Sequence, residues 1–233
     1  MNRNDPNVMM LEVVAEQLGA ALRERLVFVG GAVAGLLITD PAMPSIRPTE
    51  DVDLITHVAA LRDFHAVERE LVGRGFVHDM SADAPICRWR VGALVVDVMP
   101  TDESILGFAN RWYPLAVATA LPVALPSKTE IRLIAPPVFI ATKFEAFADR
   151  GKGDFLFSHD LGDLIAVVDG RDSLLGECEV SSSELRSYLR ERFSNLIQSR
   201  GFWDALPGHL PGDMASQERL PELERKLRAL ANL

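Results

Sequence analysis

The spacing of apolar residues predicts strands and helices in the first half of the chain and mainly helices in the second. Apolar positions recur at helical spacing over residues 7–25, and the apolar run 26–29 ends at Gly30-Gly31, as a strand entering a turn does. The same reasoning predicts strands at 51–56, 85–91, 93–99, 113–125 and 131–134, and helices at 32–38, 59–73, 136–149, 158–168, 183–199 and 220–230.

This order of elements predicts an α+β fold in which a mixed β-sheet is flanked by helices and followed by a helical C-terminal lobe. We place the α/β core at residues 1–135 and the helical lobe at 136–233. Pro136-Pro137 suits the first turn of a helix, because a proline there sacrifices no intrahelical hydrogen bond.

Composition and charge fit a soluble globular protein. The 233 residues are 48% hydrophobic and 24% charged, and no apolar run reaches the length of a membrane span, so we expect a cytoplasmic protein with no membrane partner. Cys87 and Cys178 lack metal-ligand spacing and should be reduced thiols. The net charge of −9 argues against a broad nucleic-acid-binding surface, although a local basic patch could exist.

Two aspartates one residue apart are the strongest candidate for chemistry. Asp51 and Asp53 lie in an apolar run, and residues i and i+2 of a strand point to the same face. Two like charges this close are costly unless a cation lies between them. The upstream Gly30-Gly31 turn could bring backbone N–H groups near phosphate, so a nucleotide-handling site is predicted. The alternative is a solvated strand edge with two incidental acids.

This combination of Gly30-Gly31 with Asp51-Val52-Asp53 resembles the nucleotidyltransferase superfamily, whose members transfer a nucleoside monophosphate from a nucleoside triphosphate (NTP). The segments 29–33, 47–53 and 141–147 are most similar to the AbiEii branch, which includes the MenT toxins.

The resemblance covers roughly residues 20–170, and the C-terminal helices match only in character. The chain departs from most of the superfamily in the distance from Gly31 to Asp51, which the insertion 40–45 lengthens. The position of the glycine turn relative to the acids is therefore open.

The resemblance implies a chemistry and a set of site residues. It implies two Mg²⁺ ions and transfer to an acceptor hydroxyl, such as the 3′ end of an RNA (tRNA), with an antitoxin protein as a further partner. Its alternatives are a small-molecule acceptor, or a catalytically silent module that binds nucleotide or a partner protein. The implied catalytic and metal-binding residues are Asp51, Asp53 and Asp97, and the implied nucleotide-binding residues are Gly30, Gly31, Thr49, Lys143 and Asp160. For Thr49 a purely structural loop role is equally compatible.

Asp97 interrupts an otherwise apolar strand pattern, and a buried charge needs a partner or a metal. If Gly92-Ala93 forms a two-residue hairpin turn, counting outward places Arg88 opposite Asp97. A structural Arg88–Asp97 salt bridge is therefore the alternative to a metal site, and the two are compatible with each other.

Lys143 falls inside the apolar stripe of its predicted helix, so its ammonium must either extend to solvent or reach an anion. The resemblance implies that the anion is the triphosphate. Asp160 and Asp163 lie in the first turns of the next helix, where acids complement the helix dipole without any further role. The helical pattern places Asp160 at the margin of the buried stripe and Asp163 facing away from it.

Overall fold

The computed structural model describes residues 3–233. The strands are β1 (Leu26–Val29), β2 (Asp51–Thr56), β3 (Val77–His78), β4 (Arg88–Val91), β5 (Leu94–Pro100), β6 (Leu121–Ala124) and β7 (Glu130–Leu133). The helices are α1 (Pro6–Arg23), α2 (Ala34–Leu37), α3 (Leu61–Gly73), α4 (Glu103–Leu106), α5 (Tyr113–Ala118), α6 (Pro136–Arg150), α7 (His159–Gly170), α8 (Leu174–Glu179), α9 (Ser183–Gln198), α10 (Arg200–Ala205), α11 (Met214–Gln217) and α12 (Leu220–Leu230), with short 3₁₀ turns at Gly31–Val33 and Leu206–His209.

The strands form one mixed seven-stranded sheet in the order β3-β4-β5-β2-β1-β7-β6. β2 pairs in parallel with β5 and antiparallel with β1, and β1 pairs in parallel with β7. The outer pairs β3/β4, β4/β5 and β6/β7 are antiparallel. The acid-bearing β2 is therefore central and has a hydrogen-bonded neighbour on each side. The predicted mixed sheet flanked by helices is confirmed.

The chain divides into two compact units. The described part of the first unit runs to Val33 and continues over Arg47–Ala135, so it contains the whole sheet. The second unit combines Ala34–Ile46 with Pro136–Leu233 and is helical. The segment Ala34–Ile46 thus belongs to the second unit although it precedes the acid-bearing strand in the chain.

Local contacts hold this segment in the second unit. The backbone N–H groups of Thr39 and Asp40 both donate to the carbonyl of Gly170 at the end of α7, at 2.9 Å. Arg219 donates to the carboxylates of Asp40 and Asp169, each at 2.8 Å. The pKa of Asp40 is lowered first by the hydrogen bond from the backbone N–H of Ala42 and second by the hydrogen bond from Arg219. The insertion is thereby anchored at both its backbone and its side chains.

The prediction of a strand over 113–125 is wrong in its first half. Residues Tyr113–Ala118 form α5, and the strand β6 begins only at Leu121. Pro114 explains the difference, because it stands in the first turn of the helix, where its fixed φ angle favours helix and its missing N–H costs nothing. The weak alternation of apolar residues in this segment does not separate a strand from a short helix.

The apolar core of the first unit includes all of β1, and Trp89 on β4 is almost fully buried. Cys87 and Cys178 are free, buried thiols. Burial, with the charge of Asp97, raises the pKa of Cys87 to about 12, and that thiol is therefore protonated at neutral pH. None of the helices within residues 3–233 combines the length and apolar character that crossing a membrane requires.

Candidate functional site

A transverse row of side chains crosses four neighbouring strands of the sheet. Val29 on β1 lies opposite Asp53 on β2, Asp53 lies opposite Asp97 on β5, and Asp97 lies opposite Arg88 on β4. Directly opposed residues share a face of the sheet, and Asp51 shares that face with Asp53 through the alternation of the strand. The structure therefore brings the three predicted acids to one face, in register with an arginine.

Arg88 binds two of the three acids on this face. Its Nε donates to Oδ1 of Asp97 at 2.9 Å, and its Nη2 donates to Oδ2 of Asp97 at 2.7 Å and to Oδ2 of Asp51 at 3.2 Å. The Asp97 side chain is only 10% exposed, so its charge needs such a bidentate partner. The hydrogen bond to Asp97 raises the pKa of Arg88 further above its usual range. The predicted Arg88–Asp97 salt bridge is confirmed.

Gly30 lies directly against the Asp53 carboxylate. Its φ angle is +73°, and a Cβ atom added to it would lie 1.8 Å from Oδ2 of Asp53. Only glycine can combine this left-handed backbone with a carboxylate lying across its α-carbon. Gly31 then opens the 3₁₀ turn and is itself buried. The geometry settles the position of the glycine turn relative to Asp53, which the sequence left open.

We expect Gly30→Ala to cost more stability than the same change at Gly92. Both glycines have positive φ angles, so each substitution carries a backbone penalty of about 1–2 kcal/mol. The added methyl group at Gly92 meets no atom within 4 Å, whereas at Gly30 it collides with Asp53 and should cost about 1–3 kcal/mol more. Urea unfolding of the two variants measures the difference; equal losses would contradict the contact.

A buried asparagine that the sequence analysis missed holds the segment leading into β2. Asn7, 2% exposed, donates from Nδ2 to the carbonyl of Arg47 at 3.0 Å and accepts from the backbone N–H of Thr49 at 2.8 Å. The Thr49 hydroxyl contacts Oδ1 of Asn7 and the carbonyl of Asp51. Thr49 therefore has a structural role in this loop, and its predicted contact with nucleotide stays a prediction. Only the polarity of Asn7 in an amphipathic helix could have indicated it.

In the second unit, Lys143 reaches anions inside the protein. Its Nζ lies 3.1 Å from Oδ1 of Asp160 and 2.7 Å from Oδ2 of Asp163, and all three side chains are at most 7% exposed. Arg150 adds two hydrogen bonds to Asp160, at 2.7 and 2.9 Å. The expectation that Asp163 faces away from the core is wrong, because its carboxylate points to an ammonium on the neighbouring helix α6. Whether Lys143 and Asp160 also bind nucleotide stays a prediction.

The pKa of the Asp160 carboxyl follows from these contacts. Burial alone would raise this pKa, but the hydrogen bond from Arg150 and the charges of Lys143 and Arg150 outweigh it and hold the pKa below its usual value. A carboxyl with a lowered pKa stabilises the fold above the pKa of the unfolded chain, near 3.9, and this contribution is lost as the pH falls through the folded-state pKa.

The three aspartates of the sheet offer the type of ligand atom that a hard divalent cation prefers. Mg²⁺ prefers oxygen ligands, and the Asp51, Asp53 and Asp97 carboxylates supply only oxygen; the Asp51 side chain is 34% exposed and therefore accessible. Within residues 3–233, however, no three His, Cys, Asp or Glu side chains are already arranged around a common metal position. The Arg88 guanidinium contacts two of these acids, Asp51 and Asp97, in this structure.

Comparison with known proteins supports the fold. No protein-family model and no curated protein matches the chain. Among solved structures, the chain is similar to the crystal structure of an antigenic nucleotidyltransferase-like protein from Paracoccidioides brasiliensis. The two sequences are 22% identical, the alignment covers 97% of this chain and 94% of the other, and the TM-score is 0.56. The predicted nucleotidyltransferase-like fold is thus confirmed, whereas membership of the AbiEii branch stays a prediction.

Proposed function

We propose that the protein transfers a nucleoside monophosphate from an NTP to an acceptor hydroxyl. The observation that supports this best is the opposition of Asp53 and Asp97 on a nucleotidyltransferase-like sheet, with Gly30 directly against Asp53. In this reaction an acceptor oxygen forms a bond to the α-phosphorus, the bond between the α-phosphorus and the bridging oxygen breaks, and pyrophosphate leaves. The acceptor proton passes to a nearby base or to solvent.

The carboxylates would provide the metal ligands. Asp51 and Asp53 would together hold the two Mg²⁺ ions, and Asp97 would hold one of the two ions or accept the acceptor proton. When bound, Mg²⁺ neutralises charge that develops on the phosphates and lowers the pKa of a coordinated hydroxyl. Backbone N–H groups at Gly30 and Gly31 would orient the phosphates.

The acceptor divides this proposal into two variants. The resemblance to AbiEii-type toxins favours an RNA 3′ end, which would also make an antitoxin a partner. The net charge of −9 favours a small hydroxylated molecule, because a polyanionic RNA is repelled by an acidic surface. We favour RNA, since the resemblance includes the segments around both glycines and acids.

A catalytically silent module of the same fold is the second candidate. Its support is the Arg88 guanidinium, which already balances the charges of Asp51 and Asp97 as a structural salt bridge would. Such a module would bind a nucleotide or a partner protein and catalyse no reaction.

Incubation of the protein with labelled NTPs and total RNA tests the proposal. Label at the α-phosphorus should move to the acceptor with each active NTP, whereas label at the γ-phosphorus should appear in pyrophosphate. Movement of the γ-label to the acceptor would instead identify a kinase. A chelator control removes the metal, and a panel of aminoglycoside-like polyols replaces RNA in a parallel reaction. Nucleotide binding by calorimetry without any transfer would identify the silent module.

A further inference from the structure

A single nitrogen atom of Arg88 bridges one carboxylate on β2 and one on β5, two strands that pair in the sheet but are not consecutive in the chain. Nη2 lies 2.7 Å from Oδ2 of Asp97 on β5 and 3.2 Å from Oδ2 of Asp51 on β2. The same carboxylate oxygens are the ligands that would hold a divalent ion at this site. The guanidinium and such an ion would therefore compete for the same space between the two acids.

The positive charge of the guanidinium is permanent, so deprotonation does not free the two acids for a metal ion. An arginine side chain stays positively charged throughout the accessible pH range. Both oxygens of Asp97 accept a hydrogen bond from Arg88, in the bidentate geometry that is strongest for this pair. A metal ion approaching Asp51 and Asp97 would have to overcome the positive charge and displace these hydrogen bonds.

We propose that Arg88 acts as an internal counter-cation that keeps divalent metal ions away from the Asp51–Asp97 pair until an NTP supplies additional negative charge. The free protein would then bind Mg²⁺ weakly, and metal uptake would depend on nucleotide. This inference rests on the metal-binding part of the proposed function. It makes Arg88 a positioning residue, which orders the acids in the free protein and yields them to the metal–nucleotide complex.

The strand β4 offers a matched control. Arg90 shares the strand and the face with Arg88, but it donates to Asp79 at 2.8 Å and its side chain is 50% exposed. Arg90→Gln therefore removes the same formal charge beside the site without touching Asp51 or Asp97. Arg88→Gln keeps an N–H donor for Asp97 but removes the charge, and Arg88→Lys keeps the charge but loses the planar fork.

Binding of Mn²⁺ alone to the nucleotide-free protein, measured by the loss of the free-ion paramagnetic resonance signal, tests the proposal. Removing a unit charge a few ångströms from the ion should raise the Mn²⁺ affinity of Arg88→Gln at least about tenfold. Arg88→Lys and Arg90→Gln should stay within about threefold of the wild type, since the first retains the charge and the second removes one that is better screened. A non-hydrolysable NTP should raise the Mn²⁺ affinity of the wild type.

Equal Mn²⁺ affinities for the wild type and Arg88→Gln would overturn the proposal. If Arg88→Gln does not fold without metal, its recovery of structure on addition of Mn²⁺ would support the proposal, and no recovery would contradict it. The result is separable from the proposed function: a gain of Mn²⁺ affinity without nucleotidyl transfer refutes only the activity. Transfer without that gain refutes only the role of Arg88.

Discussion

Asp53→Asn should abolish nucleotidyl transfer while the protein remains folded. Asp53 opposes Asp97 in the sheet and contacts Gly30, so it is central to the proposed metal site. Changes in the residues that merely support metal ligands already cost about 10–100-fold, and we expect the loss of a ligand to exceed a hundredfold. Asparagine has nearly the same shape and removes one charge from a crowded acidic face, so the free energy of unfolding should be unchanged or slightly raised.

The measurement is the rate of α-label transfer at saturating NTP, together with thermal unfolding of the same sample. Asp83→Asn serves as the control, because Asp83 is an exposed acid of the same unit. Transfer by Asp53→Asn at the wild-type rate would exclude Asp53 from the chemistry. A fall in melting temperature by many degrees would show that the carboxylate is needed for the fold instead.

The sheet and its register follow from local rules, which is why the sequence predicts them well. The two-residue turn at Gly92-Ala93 fixes the pairing of β4 with β5, and this pairing alone brings Arg88 opposite Asp97. The alternation of β2 places its two acids on one face whatever surrounds the strand. What local rules cannot predict is which strand lies beside β2; the resemblance implied that Asp97 belongs to the same site as Asp51 and Asp53.

The features that the sequence did not predict depend on contacts between distant segments. Asn7 contacts Arg47 and Thr49 across 40 residues or more, and nothing in the helical pattern of α1 indicates this partner. The apolar stripe of α7 excludes Asp163, so the helical pattern predicts that this residue faces away from the core. Its burial is set by Lys143 on another helix, so a pattern confined to α7 could not show it.

Lys143→Met should lower the free energy of unfolding by about 3–5 kcal/mol, which is the typical cost of breaking a buried ion pair from one side. From the sequence alone the same change should cost little, because methionine keeps the apolar stem. The structure reverses this expectation, since the ammonium is shared by the buried carboxylates of Asp160 and Asp163. Asp160 retains its two hydrogen bonds from Arg150, so most of the cost should arise at Asp163.

Urea unfolding of three variants separates this cause from a general loss of packing. Lys226→Met is the control: Lys226 donates to the exposed carboxylate of Asp172 and to the backbone carbonyl of Asp169. No buried charge loses its partner in this variant, so the change should cost less, about 1–2 kcal/mol. Adding Asp163→Asn to Lys143→Met should restore part of the lost stability, because it removes the buried charge that the ammonium balanced. A double variant no more stable than Lys143→Met alone would mean that the unbalanced charge of Asp163 is not the source of the loss.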